Sequence, residues 1–122
     1  MVDVICDTSF LIHLATKRIQ NISELNSEIG QLTFIVPTIV ISELKKLSND
    51  ISKKNDALDS LEYIESLKKI NLSGKLADDA IVSHVKDNGG MVATLDKELK
   101  KRVKQNGGSI LSLSKNHIIL EN

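Results

Sequence analysis

The chain has 122 residues, 41% of them hydrophobic and 26% charged, which fits one globular domain and excludes a disordered polymer. Sixteen Lys and Arg balance sixteen Asp and Glu, so a histone-like or polybasic protein is excluded, though a local basic patch is not. Cys6 is the single cysteine, which removes disulfide scaffolds, zinc knuckles and CxxC redox sites, and Phe10, Phe34 and Tyr63 are too few aromatics for a binder that stacks bases.

In chain order, MVDVICDTSFLIHLA carries Asp3 and Asp7 and no basic leader, so it does not read as a secretory signal. No apolar run approaches the ~20 residues of a membrane span, and a soluble, cytoplasmic protein is expected. Residues 2–6 form a short buried strand, and Thr8-Ser9 offers an N-cap to a helix over FLIHLA. Ile19, Ile22, Leu25 and Ile29 lie at helical spacing, closed by Gly30. TFIV at 33–36 is a second strand, and Pro37-Thr38 opens a helix with Val40, Ile41, Leu44 and Leu47 on one stripe. After the polar residues 48–55, a helix over 52–69 is predicted on Leu58, Leu61, Ile64 and Leu67, with Asp56, Asp59, Glu62 and Glu65 on its solvated face. Ser73-Gly74 breaks it, and 76–87 is helical with Ile81, Val82 and Val85. Then come a strand at 91–94 (MVAT), a helix at 97–105, a strand at 109–113 and an edge strand at 117–120. KDNGG before MVAT and KQNGG before SILS form a local repeat, in which Asn-Gly-Gly ends a helix through a left-handed residue. Alternating helices and fully apolar strands predict an α/β three-layer sandwich, a mainly parallel sheet flanked by helices, in a single domain over 1–122.

Ligand sites in such sheets lie beyond the carboxyl ends of the strands, and acids occupy those ends here. Asp7 follows the first strand, and Asp96 follows MVAT by two residues at a helix entry. Glu43 sits on the shoulder of the stripe formed by Val40 and Leu47. Asp78 stands three, four and seven residues before Ile81, Val82 and Val85, and Asp96 bears a similar relation to Leu99 and Val103. Glu43, Asp78 and Asp96 are therefore predicted to point inward, while Asp79 is displaced by about 100° from Asp78, toward the flank. Any one Asp at a helix start is as readily an N-cap, and Glu43 alone reads as a surface residue. Burying four carboxylates together, however, requires a neutralising cation, and no Lys or Arg occupies a matching inward position. Oxygen ligands suit Mg²⁺ or Mn²⁺ rather than zinc.

His13, His84 and His117 share no spacing, Cys6 is an apolar filler, and no GxGxxG, Walker or GxSxG pattern occurs. Lys97, Lys100, Lys101, Arg102 and Lys104 cluster in KELKKRVK directly after Asp96. Singly they read as solubilising lysines. As a group they would rim an acidic pocket with positive charge and suit a polyanionic backbone.

DTSFL at 7–11, SEL at 42–44, LADDAI at 76–81 and VATLDKELKKRV at 92–103 resemble, in this order, the PIN-domain ribonucleases. The similarity spans nearly the whole chain. It is strongest to the archaeal and eukaryotic branch that includes the small-subunit rRNA-processing nuclease, and looser to VapC-type toxins. The resemblance implies a PIN-like fold and a metal-dependent endoribonuclease holding one or two Mg²⁺ or Mn²⁺ ions. It assigns the catalytic acids to Asp7, Glu43, Asp78 and Asp96. All four are also metal ligands, and Asp79 is a further candidate because either member of the DD pair can serve; the helical phase favours Asp78. Ser9 matches the small polar residue two positions after the first acid and, with Lys97, Lys100, Lys101, Arg102 and Lys104, is assigned to nucleic-acid binding. The implied substrate is single-stranded RNA, cleaved to 5′-phosphate and 3′-hydroxyl ends. Two biological settings follow from the resemblance. One is RNA processing with a ribosome-assembly partner, although the basic N-terminal extension and cysteines of that branch are lacking. The other is a toxin–antitoxin pair, in which a small antitoxin inserts a basic residue among the acids. A homodimer is compatible with both, no membrane is implied, and a catalytically silent PIN-like RNA-binding module is the alternative of a different class.

Overall fold

The computed structural model describes residues 2–17, 31–114 and 117–121. The helix expected over 19–29 lies outside the described residues. Six strands form one sheet: β1 (Val2–Cys6), β2 (Leu32–Pro37), β3 (Lys68–Ile70), β4 (Met91–Ala93), β5 (Ser109–Ser114) and β6 (His117–Glu121). Their order is β3-β2-β1-β4-β5-β6; the first five are parallel, and β6 runs antiparallel to β5 at the edge. Among the described residues, five α-helices cover the sheet: α1 (Thr8–Thr16), α2 (Thr38–Leu47), α3 (Lys54–Tyr63), α4 (Ala77–Asn88) and α5 (Lys97–Gln105).

The carboxyl-terminal halves of β1, β2 and β4 read as apolar because both of their faces are buried. In β1, Val4 and Cys6 join Phe10, Leu11, Val40 and Leu44 in the core under α1 and α2, whereas Ile5 points the other way. Ile5, Val92 and Ile110 meet Ile81, Val85, Leu99 and Val103 of α4 and α5 in a second core. Each fully buried side chain of this kind contributes about 1.5–3 kcal/mol. From β1 the chain builds outward through β2 to β3 with α1 and α2 on one face, then returns to β4 and β5 with α4 and α5 on the other. The order therefore reverses between β1 and β4, and the carboxyl ends of these strands are where sheets of this kind hold their ligand crevice.

Gly89 and Gly107 have φ of 69° and 84°, so both Asn-Gly-Gly turns pass through the left-handed region as expected. Gly108 is needed for space as well, because a Cβ there would lie 2.6 Å from Val103 Cγ1 and 2.7 Å from Val85 Cγ1.

Three expectations are corrected. The helix predicted over 52–69 ends at Tyr63, tightens into a 3₁₀ turn over Ile64–Ser66 and gives way to β3. Its buried face carries Ala57, Ser60 and Ile64, and Leu58 is exposed. Lys69 stops it by donating from Nζ to the carbonyl oxygens of Ile64 (2.6 Å) and Glu65 (2.8 Å), and Lys68–Ile70 then pairs with Ile35–Pro37. The N-cap of α1 is Asp7 rather than Thr8-Ser9, since its Oδ1 accepts from Phe10 N–H at 2.9 Å. Asp96 is exposed, because capping α5 holds its carboxylate at the mouth of the crevice. Among the described residues, no helix is long and apolar enough to cross a membrane.

Candidate active site

The crevice is built on a mirrored pair of short motifs, D-T-S leaving β1 and T-L-D leaving β4. Asp7 is 4% exposed. Its Oδ1 accepts from Ser9 Oγ at 2.8 Å as well as from Phe10 N–H, and its Oδ2 accepts from the fully buried Thr94 hydroxyl. Thr94 Oγ1 in turn accepts from Asp96 N–H at 3.0 Å, and Ser9 Oγ accepts from Leu95 N–H at 3.1 Å. Each hydroxyl thus ties an acid at one strand end to the backbone of the β4–α5 junction, fixing Asp7 against Asp96.

The other acids approach from the helices. Glu43 is half-buried, and its two oxygens bridge α1 and α4, accepting from Thr8 Oγ1 (3.0 Å) and Ala77 N–H (3.1 Å). The second bond satisfies a free amide at the start of α4, where a carboxylate is favoured by the helix dipole. Asp78 is also half-buried, and among the described residues its carboxylate has no hydrogen-bond or ion-pair partner. Asp79 is exposed, and its Oδ1 lies 2.9 Å from Arg102 Nη2 of α5. Asp96 Oδ1 accepts from Glu98 N–H (2.8 Å) and Leu99 N–H (3.2 Å).

The charges of Asp7, Asp78, Asp96 and Glu43 act on one another in pairs. Burial pushes the Asp7 carboxyl above the usual carboxylate range; hydrogen bonds from Thr94, Phe10 and Ser9 oppose the rise, and the charge of Asp78 adds to it. Asp78 is likewise pushed up, first by burial and then by the charges of Asp96 and Glu43, with Arg102 pulling the other way and Asp79 adding a smaller upward push. Even so, among the described residues no three Asp, Glu, His or Cys side chains converge into a ready-made ion cage. Asp7, Glu43 and Asp96 are each turned onto nearby N–H or O–H donors.

The basic helix divides into parts. Arg102 turns to Asp79. Lys100 Nζ lies 2.9 Å from Glu121 Oε2 and donates to Ser112 Oγ at 2.6 Å, and Lys104 Nζ lies 3.6 Å from Glu121 Oε1. Lys97 and Lys101 are exposed. Sequence reasoning missed Thr94 and Thr8. The repeated spacing of an acid and a hydroxyl two residues apart, in Asp7–Ser9 and Thr94–Asp96, was the available signal for Thr94; nothing in the sequence marked Thr8.

A mainly parallel sheet with acids just beyond the ends of its two central strands defines the class, an α/β domain with carboxylates at the point where its strand order reverses. The chain belongs to the PIN-like domain family, whose profile matches residues 4–116. It is similar to Ribonuclease VapC4 of Methanocaldococcus jannaschii, with 29% identity over 108 residues that cover 84% of this chain and 82% of that protein. It is similar in structure to the PIN domain endonuclease Utp24, with a TM-score of 0.78, 29% identity, and coverage of 98% of this chain and 90% of that one. The fold is also shared with VapBC2 from Rickettsia felis, a structure solved with a DNA fragment from its promoter, at a TM-score of 0.62, 17% identity, and 93% and 100% coverage.

Proposed function

We propose that this protein is a metal-dependent endoribonuclease acting on single-stranded RNA. The observation that carries the reading is Asp7, a carboxylate buried at the strand-order reversal and tied to Thr94 with Asp78 facing it, in a chain related over most of its length to a ribonuclease and a PIN domain endonuclease.

The donor set fits a divalent cation of the Mg²⁺ or Mn²⁺ type. It offers only oxygens, the Asp78 carboxylate is free to turn, and two of the carboxyls are held above their ordinary range in a way that a nearby cation reverses. Asp7, Glu43, Asp78 and Asp96 would hold one or two such ions; Asp79, paired with Arg102, is left to the flank. When bound, the ion supplies Lewis-acid activation of water and neutralises charge developing on the phosphate. The chain's own contribution is placement. Thr94 and Ser9 fix the Asp7 carboxylate, Glu43 spans α1 and α4 so that the crevice walls keep their spacing, and Arg102 sets a positive charge beside Asp78 where a phosphate oxygen would lie. Few aromatic side chains are available for stacking, so the strand is gripped through its phosphates by Ser9, Arg102 and the exposed Lys97 and Lys101.

The likeness to a VapC ribonuclease favours a toxin–antitoxin setting, whereas the likeness to Utp24 favours RNA processing. Neutralisation by a small partner protein that inserts a basic side chain among the acids separates the first from the second. The proposed activity is tested with labelled single-stranded RNA and DNA in Mn²⁺, Mg²⁺ or EDTA. Metal-dependent cleavage of RNA, lost by two or more orders of magnitude (about 1.4 kcal/mol for each tenfold) in Asp7→Asn and Asp96→Asn, is expected. Wild-type rates in both variants, or RNA left intact in either metal, would contradict it.

A further inference from the structure

Beside the acid-lined crevice, a groove of about 490 Å³ runs along α5, lined by Lys97, Lys100, Lys101, Lys104, Gln105 and Glu121. One end borders the crevice, because Lys97 directly follows Asp96, the N-cap of α5. From Lys97 to Lys104 the helix rises about 10 Å, and all four lysines of this stretch line the groove. Among the described residues, one side-chain carboxylate lines it. Glu121, on edge strand β6, puts Oε2 at 2.9 Å from Lys100 Nζ and Oε1 at 3.6 Å from Lys104 Nζ. Lys100 also donates to Ser112 Oγ, whose hydroxyl bonds the Glu121 carboxyl as well. The lysines hold the Glu121 carboxyl below its usual range, Lys100 most strongly.

A phosphodiester presents the same kind of group, anionic oxygens that accept from two ammonium donors. We propose that Glu121 occupies a backbone-phosphate position of a single-stranded nucleic acid running from the acid crevice along α5, so that binding exchanges the Glu121 carboxylate for a phosphate between Lys100 and Lys104. Glu121 is then an internal competitor that weakens the grip on the strand. Lys97, which lines the groove, directly follows Asp96, and this adjacency to the acids argues for nucleic acid over an acidic protein segment. The inference rests on the proposed nuclease reading for the identity of the strand, but not for the behaviour of the groove.

The test measures binding of a labelled single-stranded RNA in EDTA, where cleavage is off, across a range of salt concentrations. Glu121→Gln should bind about three- to tenfold tighter than wild type, with a steeper salt dependence, by about 0.7 in log–log slope for each phosphate gained. Glu62→Gln, which removes an equal charge from the exposed face of α3, should change little. Lys100→Gln combined with Glu121→Gln should lose the gain. The Lys100–Glu121 pair is partly exposed at the surface, where ion pairs contribute little to stability, so Glu121→Gln is expected to fold, and Glu121→Ser serves as an independent second variant. Equal or weaker binding by both Glu121 variants than by Glu62→Gln would overturn the proposal. So would a poly-glutamate peptide binding more tightly than RNA of the same charge. Tighter binding by Glu121→Gln without cleavage in any metal would refute the nuclease reading alone.

Discussion

Arg102 Nη2 and Asp79 Oδ1 meet at 2.9 Å between α5 and α4, one residue away from Asp78, whose carboxylate has no such partner among the described residues. Neighbouring acids in one DD pair therefore have different surroundings. Asp78 responds to Asp96 and Glu43 across the crevice, while Asp79 orients a cation on its rim.

This division predicts unequal costs of neutralisation. Asp78→Asn should lower RNA cleavage by roughly tenfold or more, that is at least about 1.4 kcal/mol of transition-state stabilisation. Asp79→Asn should stay within a few-fold and act mainly on KM, because it releases Arg102 without touching the crevice. Steady-state kinetics of the two variants check this, and the reverse ranking would place the third acid at Asp79.

Thr94 is the side chain through which Asp7 is locked to the β4–α5 junction. Thr94→Val keeps the shape but leaves a buried carboxylate oxygen and the Asp96 amide without that partner. It should cost about 1–3 kcal/mol in chemical denaturation and lower cleavage as well. Thr94→Ser retains the hydroxyl and should recover most of both. Equal losses in the two variants would mean that the methyl group, not the hydrogen bonds, is what matters.

The elements that position Asp7 and Asp96 were legible in the sequence because their cause is local. The VIC end of β1 and MVA are apolar on both faces, and the second follows an Asn-Gly-Gly stop whose glycine takes the predicted positive φ. β3 was not legible, since its three residues KKI show no alternation and its pairing depends on β2. The end of α3 was hidden for the same reason, as Lys69 closes it from a strand that a helical pattern does not reveal. The inward tilt of Asp78 followed from helical phase, but the phase rule misplaced Asp96, which capping holds outward. The pairing of Lys100 and Lys104 with Glu121 required the antiparallel register of β5 and β6, where Ile110 faces Glu121.

The raised carboxyls give a pH signature in the metal-free protein. Folding favours the protonated forms of Asp7 and Asp78, so their contribution to stability is fully present below the ordinary Asp value of 3.8 and is lost as pH rises through their raised values. Glu121 has the opposite sign: its contribution is present above the ordinary Glu value of 4.5 and is lost as pH falls through its lowered one. In EDTA, the difference in Tm between Asp7→Asn and wild type should therefore grow in favour of the variant between about pH 4 and 7. A difference that is flat or of the other sign across that window would mean that Asp7 is comfortably ionised in the folded apo protein.

The central claim is that the carboxylates around Asp7 form a divalent-cation site, and thermal unfolding with Mn²⁺ or with EDTA tests it without knowledge of the substrate. A cation that binds only the folded chain adds RT ln(1 + [L]/Kd), about 2.7 kcal/mol at a hundredfold excess over Kd. For a domain of this size that raises Tm by very roughly 8–16 °C. Wild type and Glu62→Gln should both show the rise, while Asp7→Asn should melt at or above wild type in EDTA and barely respond to the metal. No rise for wild type at millimolar Mn²⁺, together with a lower Tm for Asp7→Asn in EDTA, would leave Asp7 with no role beyond capping α1 and contradict the account.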